Sequence, residues 1–134
     1  MMTIRQPTIA VVDDDPSVLK ALGRLLMAAG YRVELFGCAA DVLNAMPTSQ
    51  VTCLVIDCQL GHISGVELGA QLSAIYFQLP IIFMTGSADD LIRKKAMALG
   101  CVAYLQKPLL ADELLASIAK ANHRWANRLS QVAE

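Results

Sequence analysis

The stretch Thr8-Ile9-Ala10-Val11-Val12-Asp13-Asp14-Asp15-Pro16 decides how this chain is read. Its first five residues form a short run rich in β-branched side chains, apolar without alternation, as expected of a strand covered on both faces. Carboxylates follow at once. Asp15 then fits the N-cap of a helix whose first turn tolerates Pro16, because no N–H is needed there. Val18, Leu22, Leu25, Leu26 and Ala29 recur at helical spacing, and Gly30 offers a left-handed stop.

The same strand-then-helix unit recurs along the chain. Apolar runs near 8–13, 31–36, 51–57, 80–85 and 101–106 alternate with helical segments near 16–29, 39–46, 65–78, 88–99 and 110–130. Continuous apolar strands between helices predict an α/β fold with a parallel sheet buried on both sides. Right-handed crossovers leave few topologies, of which the flavodoxin-like (βα)5 doubly wound sheet with order 2-1-3-4-5 fits. Its switch point falls between the first and third strands, where Asp13, Asp14 and Asp57 end their runs. Ligands of open α/β sheets bind in that crevice.

Composition narrows the options. A chain of 134 residues forms one domain, and 55% hydrophobic content with 17% charged residues excludes a disordered chain. A net charge of −1 argues for no direct nucleic-acid partner and no anionic membrane surface. The uncharged stretch Leu68 to Ala88 contains Gln71, Ser73, Gln78 and Pro80, and reads as helix, turn and buried strand, not as a membrane span. No secretory signal pattern opens the chain. Cys38, Cys53, Cys58 and Cys101 lack paired metal spacing and read as small hydrophobes in a reducing cytoplasm. Cys58, without a basic neighbour, reads as an unreactive spacer. His62 is a solvated loop residue without a second ligand, and His123 lies in the helical tail.

Asp13, Asp14 and Asp57 bring three negative charges to one pocket, and Lys107, after the last strand, returns one positive charge. Carboxylates so placed repel each other. A Mg²⁺ ion restores the balance and suits an open site of carboxylates, carbonyls and waters; Mn²⁺ can substitute. Asp57, kept ionised by the cation and Lys107, is then a competent nucleophile toward a phosphoryl group.

Four segments carry a family resemblance: VVDDDP at 11–16, VIDCQLGHISG at 55–65, IIFMTGS at 81–87 and YLQKP at 104–108. In this order and spacing they resemble the receiver domain of two-component response regulators, over residues 8 to about 122. The wording VVDDDPSV, TGS and GVEL is most similar to regulators of nitrogen fixation and related transcription. The resemblance implies that Asp57 is the phosphoacceptor, charged by a sensor histidine kinase or a phosphotransfer protein. It implies metal ligation by Asp14 directly, Asp13 largely through water, Asp57, and the backbone carbonyl of Gln59. Lys107 would pair with phosphoryl oxygens, and Lys107-Pro108 would be cis. Thr85 would carry the switch hydroxyl, Gly86 would leave room beside the aspartate, and the Tyr104 ring would turn inward as Thr85 moves. Gln59 and Ser87 occupy positions that tune hydrolysis of the phosphoaspartate.

The implied output is a surface of the fourth helix, fifth strand and fifth helix, where Arg93, Lys94 and Lys95 lie, used for partner contacts or a homodimer. Residues 1–122 form the receiver and 123–134 a helical extension of the last helix, for which Ile118, Trp125 and Leu129 are the apolar markers. One departure stands out. Where the family has Met-Pro, this chain has Leu60-Gly61, which removes proline's stiffening and leaves the Gln59 carbonyl less firmly placed. Two other readings differ in class. A Mg²⁺-dependent aspartyl-nucleophile phosphatase would need a second acid where Gln59 stands, and an interaction module that lost phosphorylation would not need the Asp14, Asp57, Thr85 and Lys107 set.

Overall fold

A computed structural model describes residues 6–133, with side chains to Arg128. Five strands alternate with five helices: β1 (Thr8–Val12), α1 (Pro16–Ala28), β2 (Arg32–Phe36), α2 (Ala39–Ala45), β3 (Cys53–Asp57), α3 (Gly65–Ile75), β4 (Ile81–Thr85), α4 (Asp90–Ala98), β5 (Ala103–Gln106) and α5 (Ala111–Ala133). A single 3-10 turn, Met46–Thr48, follows α2. All strand pairs are parallel and the order is β2-β1-β3-β4-β5, as the apolar runs predicted.

Alternate residues of the inner strands feed two separate cores. Ala10, Val12, Leu54, Ile56, Ile81 and Phe83 face α2, α3 and α4. Ile9, Val11, Cys53, Val55, Ile82 and Met84 face α1 and α5. Every residue of β1, β3 and β4 is buried, so the lack of alternation in these runs reflects helices on both sides. Close packing leaves little space: a Cβ on Gly69 of α3 would meet Phe83 Cζ at 2.7 Å.

Helix ends follow local chemistry. Asp15 caps α1, its Oδ1 accepting from the Ser17 N–H at 2.9 Å, and Gly30 follows with φ of 97°. Ala29, which recurs at helical spacing with Leu22 and Leu26, is the exposed C-cap of α1. Gly100 ends α4 with φ of 73°. α3 ends at Ile75, three residues before the predicted 78. Tyr76 leaves helical geometry and Gln78 adopts φ of 64°, turning the chain into β4. No described helix is long and apolar enough to cross a membrane.

Candidate functional site

β1 and β3 are neighbours, with Val12 opposite Ile56, so Asp13 and Asp57 emerge side by side at the carboxyl edge of the sheet. β4 lies on the far side of β3 and delivers Thr85; β5 beyond it leads to Lys107. The cis Lys107-Pro108 bond is present. Asp13 and Asp57 are buried, while Asp14 is exposed at the rim.

Lys107 Nζ bridges the two buried acids, 2.8 Å from Asp13 Oδ2 and 2.9 Å from Asp57 Oδ2. The remaining oxygens are held by backbone: Asp15 N–H donates to Asp13 Oδ1, and Gln59 N–H donates to Asp57 Oδ1, each at 2.9 Å. Every carboxylate oxygen of the buried pair therefore has a donor, which offsets the cost of burying charge. Burial alone would lower the pKa of Lys107. Its hydrogen bonds to Asp13 and Asp57 outweigh that, so the ammonium is held above its ordinary range.

Asp13, Asp14 and Asp57 each offer an oxygen, and these oxygens lie within 4.8 Å of one another. This all-oxygen set, without histidine or cysteine, fits a hard divalent cation such as Mg²⁺. Gln59 sits on the same rim, its amide fixed by Asp57. His62 is an exposed loop residue outside this cluster.

Thr85 is buried and comes to the edge of the site, yet its hydroxyl is turned to its own loop. It donates to Ser87 O at 3.2 Å and accepts from Ser87 N–H at 3.0 Å. The Tyr104 hydroxyl is already buried, packed on the face shared with α3 and α4, and burial pushes its phenol pKa up. Thr85 beside it tempers that shift, but no hydrogen bond of sound geometry reaches the hydroxyl. A half-buried tyrosine with its hydroxyl out of solvent and a self-bonded threonine thus coexist here. Gly86 has open space where a Cβ would lie, so packing does not require a glycine there.

Cys58 is buried behind Asp57. Burial and then the Asp57 charge push its thiol up to about 12, so it is an inert filler at neutral pH. Gly65 was not singled out by its sequence position as part of the site, but it touches it: a Cβ there would overlap the carbonyl oxygen of Asp57. In the sequence it closes the segment VIDCQLGHISG and directly follows the helix-capping Ser64, whose Oγ accepts from the Glu67 N–H.

Comparisons with known proteins agree with this fold. The family model for the response regulator receiver domain matches residues 9–119. Response regulator protein TodT of Pseudomonas putida is 37% identical over 120 residues, covering 90% of this chain and 53% of that protein. Transcriptional regulatory protein FixJ of Bradyrhizobium diazoefficiens is 38% identical over 113 residues, covering 84% of this chain and 55% of its own length. The chain thus spans about half the length of these curated relatives. Among solved structures, a CheY-like response regulator receiver domain protein from Methanospirillum hungatei JF-1 superposes with a TM-score of 0.86 at 25% identity, over 92% of this chain and 99% of that one.

Proposed function

From the premise that this chain belongs to the response regulator receiver domain family of two-component signalling, we propose that Asp57 accepts a phosphoryl group from a sensor histidine kinase or phosphotransfer protein. The observation that carries this reading is the convergence of Asp13, Asp14, Asp57 and Lys107 at one strand edge, with oxygens within 4.8 Å among the acids. A bound Mg²⁺ would supply charge neutralisation for the transferring phosphoryl oxygens. Asp13, Asp14, Asp57 and the Gln59 carbonyl would hold it.

A carboxylate oxygen of Asp57 attacks phosphorus in line; the P–O bond forms as the donor's P–N bond breaks. The departing imidazole nitrogen keeps the electron pair and takes a proton. Lys107 gives up its bond to Asp57 Oδ2 and pairs with a phosphoryl oxygen, keeping Asp13 as its second partner. Thr85 leaves Ser87 and turns its hydroxyl to the phosphoryl group. Because the hydroxyl of the half-buried Tyr104 is already out of solvent, the threonine's change of partner is the main local step, and release of Ser87 frees the loop ahead of α4. Reversing a strongly one-sided two-state equilibrium needs about 5.5 kcal/mol of differential binding, within reach of several charge-assisted bonds to a dianion.

The output surface on this reading is α4, β5 and α5, for a partner or a homodimer, in the cytoplasm. Residues 1–122 act as the receiver and 123–134 as its helical extension. Beryllofluoride, which imitates a phosphoryl group, tests the proposal through backbone NMR in Mg²⁺. Shifts at Asp57, Thr85 and α4 that vanish in Asp57→Asn support it. Steady turnover of a phosphate ester would favour the phosphatase, and no response to either compound would favour an inert interaction module.

A further inference from the structure

Residues 58 to 65 carry the chain from β3 to α3 as a closed clip. Cys58 N–H donates to Met84 O at 2.8 Å, seating the clip on β4, and Gly65 N–H donates back to the Cys58 carbonyl at 2.8 Å. Inside that ring Gln59 pairs with Ser64 in an isolated antiparallel bridge. Leu60 is buried and Ile63 packs against the same core, so the clip is anchored at both shoulders.

Two glycines make this closure geometrically allowed. Gly61 turns the tip with φ of 83°. Proline fixes φ near about −65°, so the family's residue cannot occupy this backbone. Gly65 closes the base: an added Cβ would overlap the Asp57 carbonyl oxygen and lie 2.7 Å from Asp57 C and 2.8 Å from Cys58 Cα. These are backbone atoms of the residue proposed as nucleophile and of its neighbour, and no side-chain rotation relieves the contact. Gly69 differs, since its crowding comes from the Phe83 ring.

We propose that Gly65 and Gly61 are positioning residues for the cation site, holding the backbone from Asp57 to Gln59 by a bridged clip in place of proline's rigidity. The inference rests on the reading that Asp13, Asp14 and Asp57 hold Mg²⁺. A side chain at Gly65 pushes first on the Asp57 carbonyl. The displacement passes to Gln59 directly along the chain and through the hydrogen bond its backbone N–H donates to Asp57 Oδ1. Leu60-Gly61 therefore makes a differently built loop, not a slack one, and restoring the family's proline damages it.

Calorimetric Mg²⁺ binding and amide spectra in EDTA test this in the whole chain. Gly65→Ala weakens Mg²⁺ binding at least tenfold and shifts the Asp57 and Gln59 amides even in EDTA. Gly23→Ala, whose Cβ meets only Leu35 in the distant α1 face at 3.2 Å, stays within twofold of the parent. If Gly65→Ala does not fold, the tip decides: Gly61→Pro weakens binding at least fivefold more than Gly61→Asn, which tolerates positive φ. Equal affinities for parent and Gly65→Ala, or for Gly61→Pro and Gly61→Asn, overturn the proposal. A parent that binds no Mg²⁺ sinks the metal-site reading instead. The clip is then judged by the EDTA spectra alone, where unshifted Asp57 and Gln59 amides in Gly65→Ala overturn it.

Discussion

Lys107 Nζ stands 2.9 Å from Asp57 Oδ2, and the same nitrogen ties Asp57 to the fully buried Asp13. The ammonium is the one cation paired with either acid among the described residues. Replacing it with an apolar side chain leaves Oδ2 of each buried carboxylate without a donor, at a cost of at least about 1–3 kcal/mol apiece. Lys107→Met should therefore melt well below the parent in EDTA, and saturating Mg²⁺ should recover part of the loss. Identical melting of the two proteins in EDTA would contradict the bridging role.

Alkaline pH should remove the same contribution. Lys107 has a folded pKa above its ordinary 10.5, because its bonds to Asp13 and Asp57 outweigh burial. Its stabilisation is thus complete below 10.5 and fades as pH rises through the folded value. Burial also pushes Cys53 from 9.0 to about 12, and burial with the Asp57 charge does the same to Cys58; their contribution fades in turn above pH 9. Tyr104 adds to the fall with the same sign. Melting temperature should hold to about pH 9 and drop beyond it, with Lys107→Met losing less than the parent above pH 10.5. Parallel curves for the two proteins would show that Lys107 is not a contributor.

Asp14 brings a third acid near two that share one lysine, its oxygen within 4.8 Å of theirs. Asp14→Ala should melt higher than the parent in EDTA, since repulsion is relieved, and should lose most of the stabilisation that Mg²⁺ gives the parent. Scanning calorimetry with and without the metal measures both effects. A lower melting temperature for the variant in EDTA would reject the crowded-acid account.

Gln78 holds φ of 64° at the exit of α3. A left-handed backbone costs a residue with a Cβ about 1–2 kcal/mol, and glycine's extra unfolded entropy returns about 0.5–1 of that. Gln78→Gly should stabilise by about 0.5–1 kcal/mol, a melting gain of a few degrees. No gain, or a loss, would mean that the Gln78 side chain makes compensating contacts.

The sheet was legible because strands buried on both faces must read as unbroken apolar runs, and the acids ending at Asp13 and Asp57 marked the switch point. Capping by Asp15 and the stops at Gly30 and Gly100 were legible for local reasons too. α3 was read too long because Gln78 adopts a backbone that its residue type rarely takes. The rotamer of Thr85 could not be read, since the hydroxyl's partner is the backbone of Ser87 in its own loop. The packing demand on Gly65 could not be read because it is tertiary: only the folded chain brings the start of α3 against the Asp57 carbonyl.

The most direct test of the account is intact-mass spectrometry with peptide mapping after incubation with acetyl phosphate and Mg²⁺. It should find a single phosphoryl group, on Asp57, absent in EDTA and absent in Asp57→Asn. Unmodified protein under saturating donor and metal, or a phosphoryl group mapping to another residue, would contradict it.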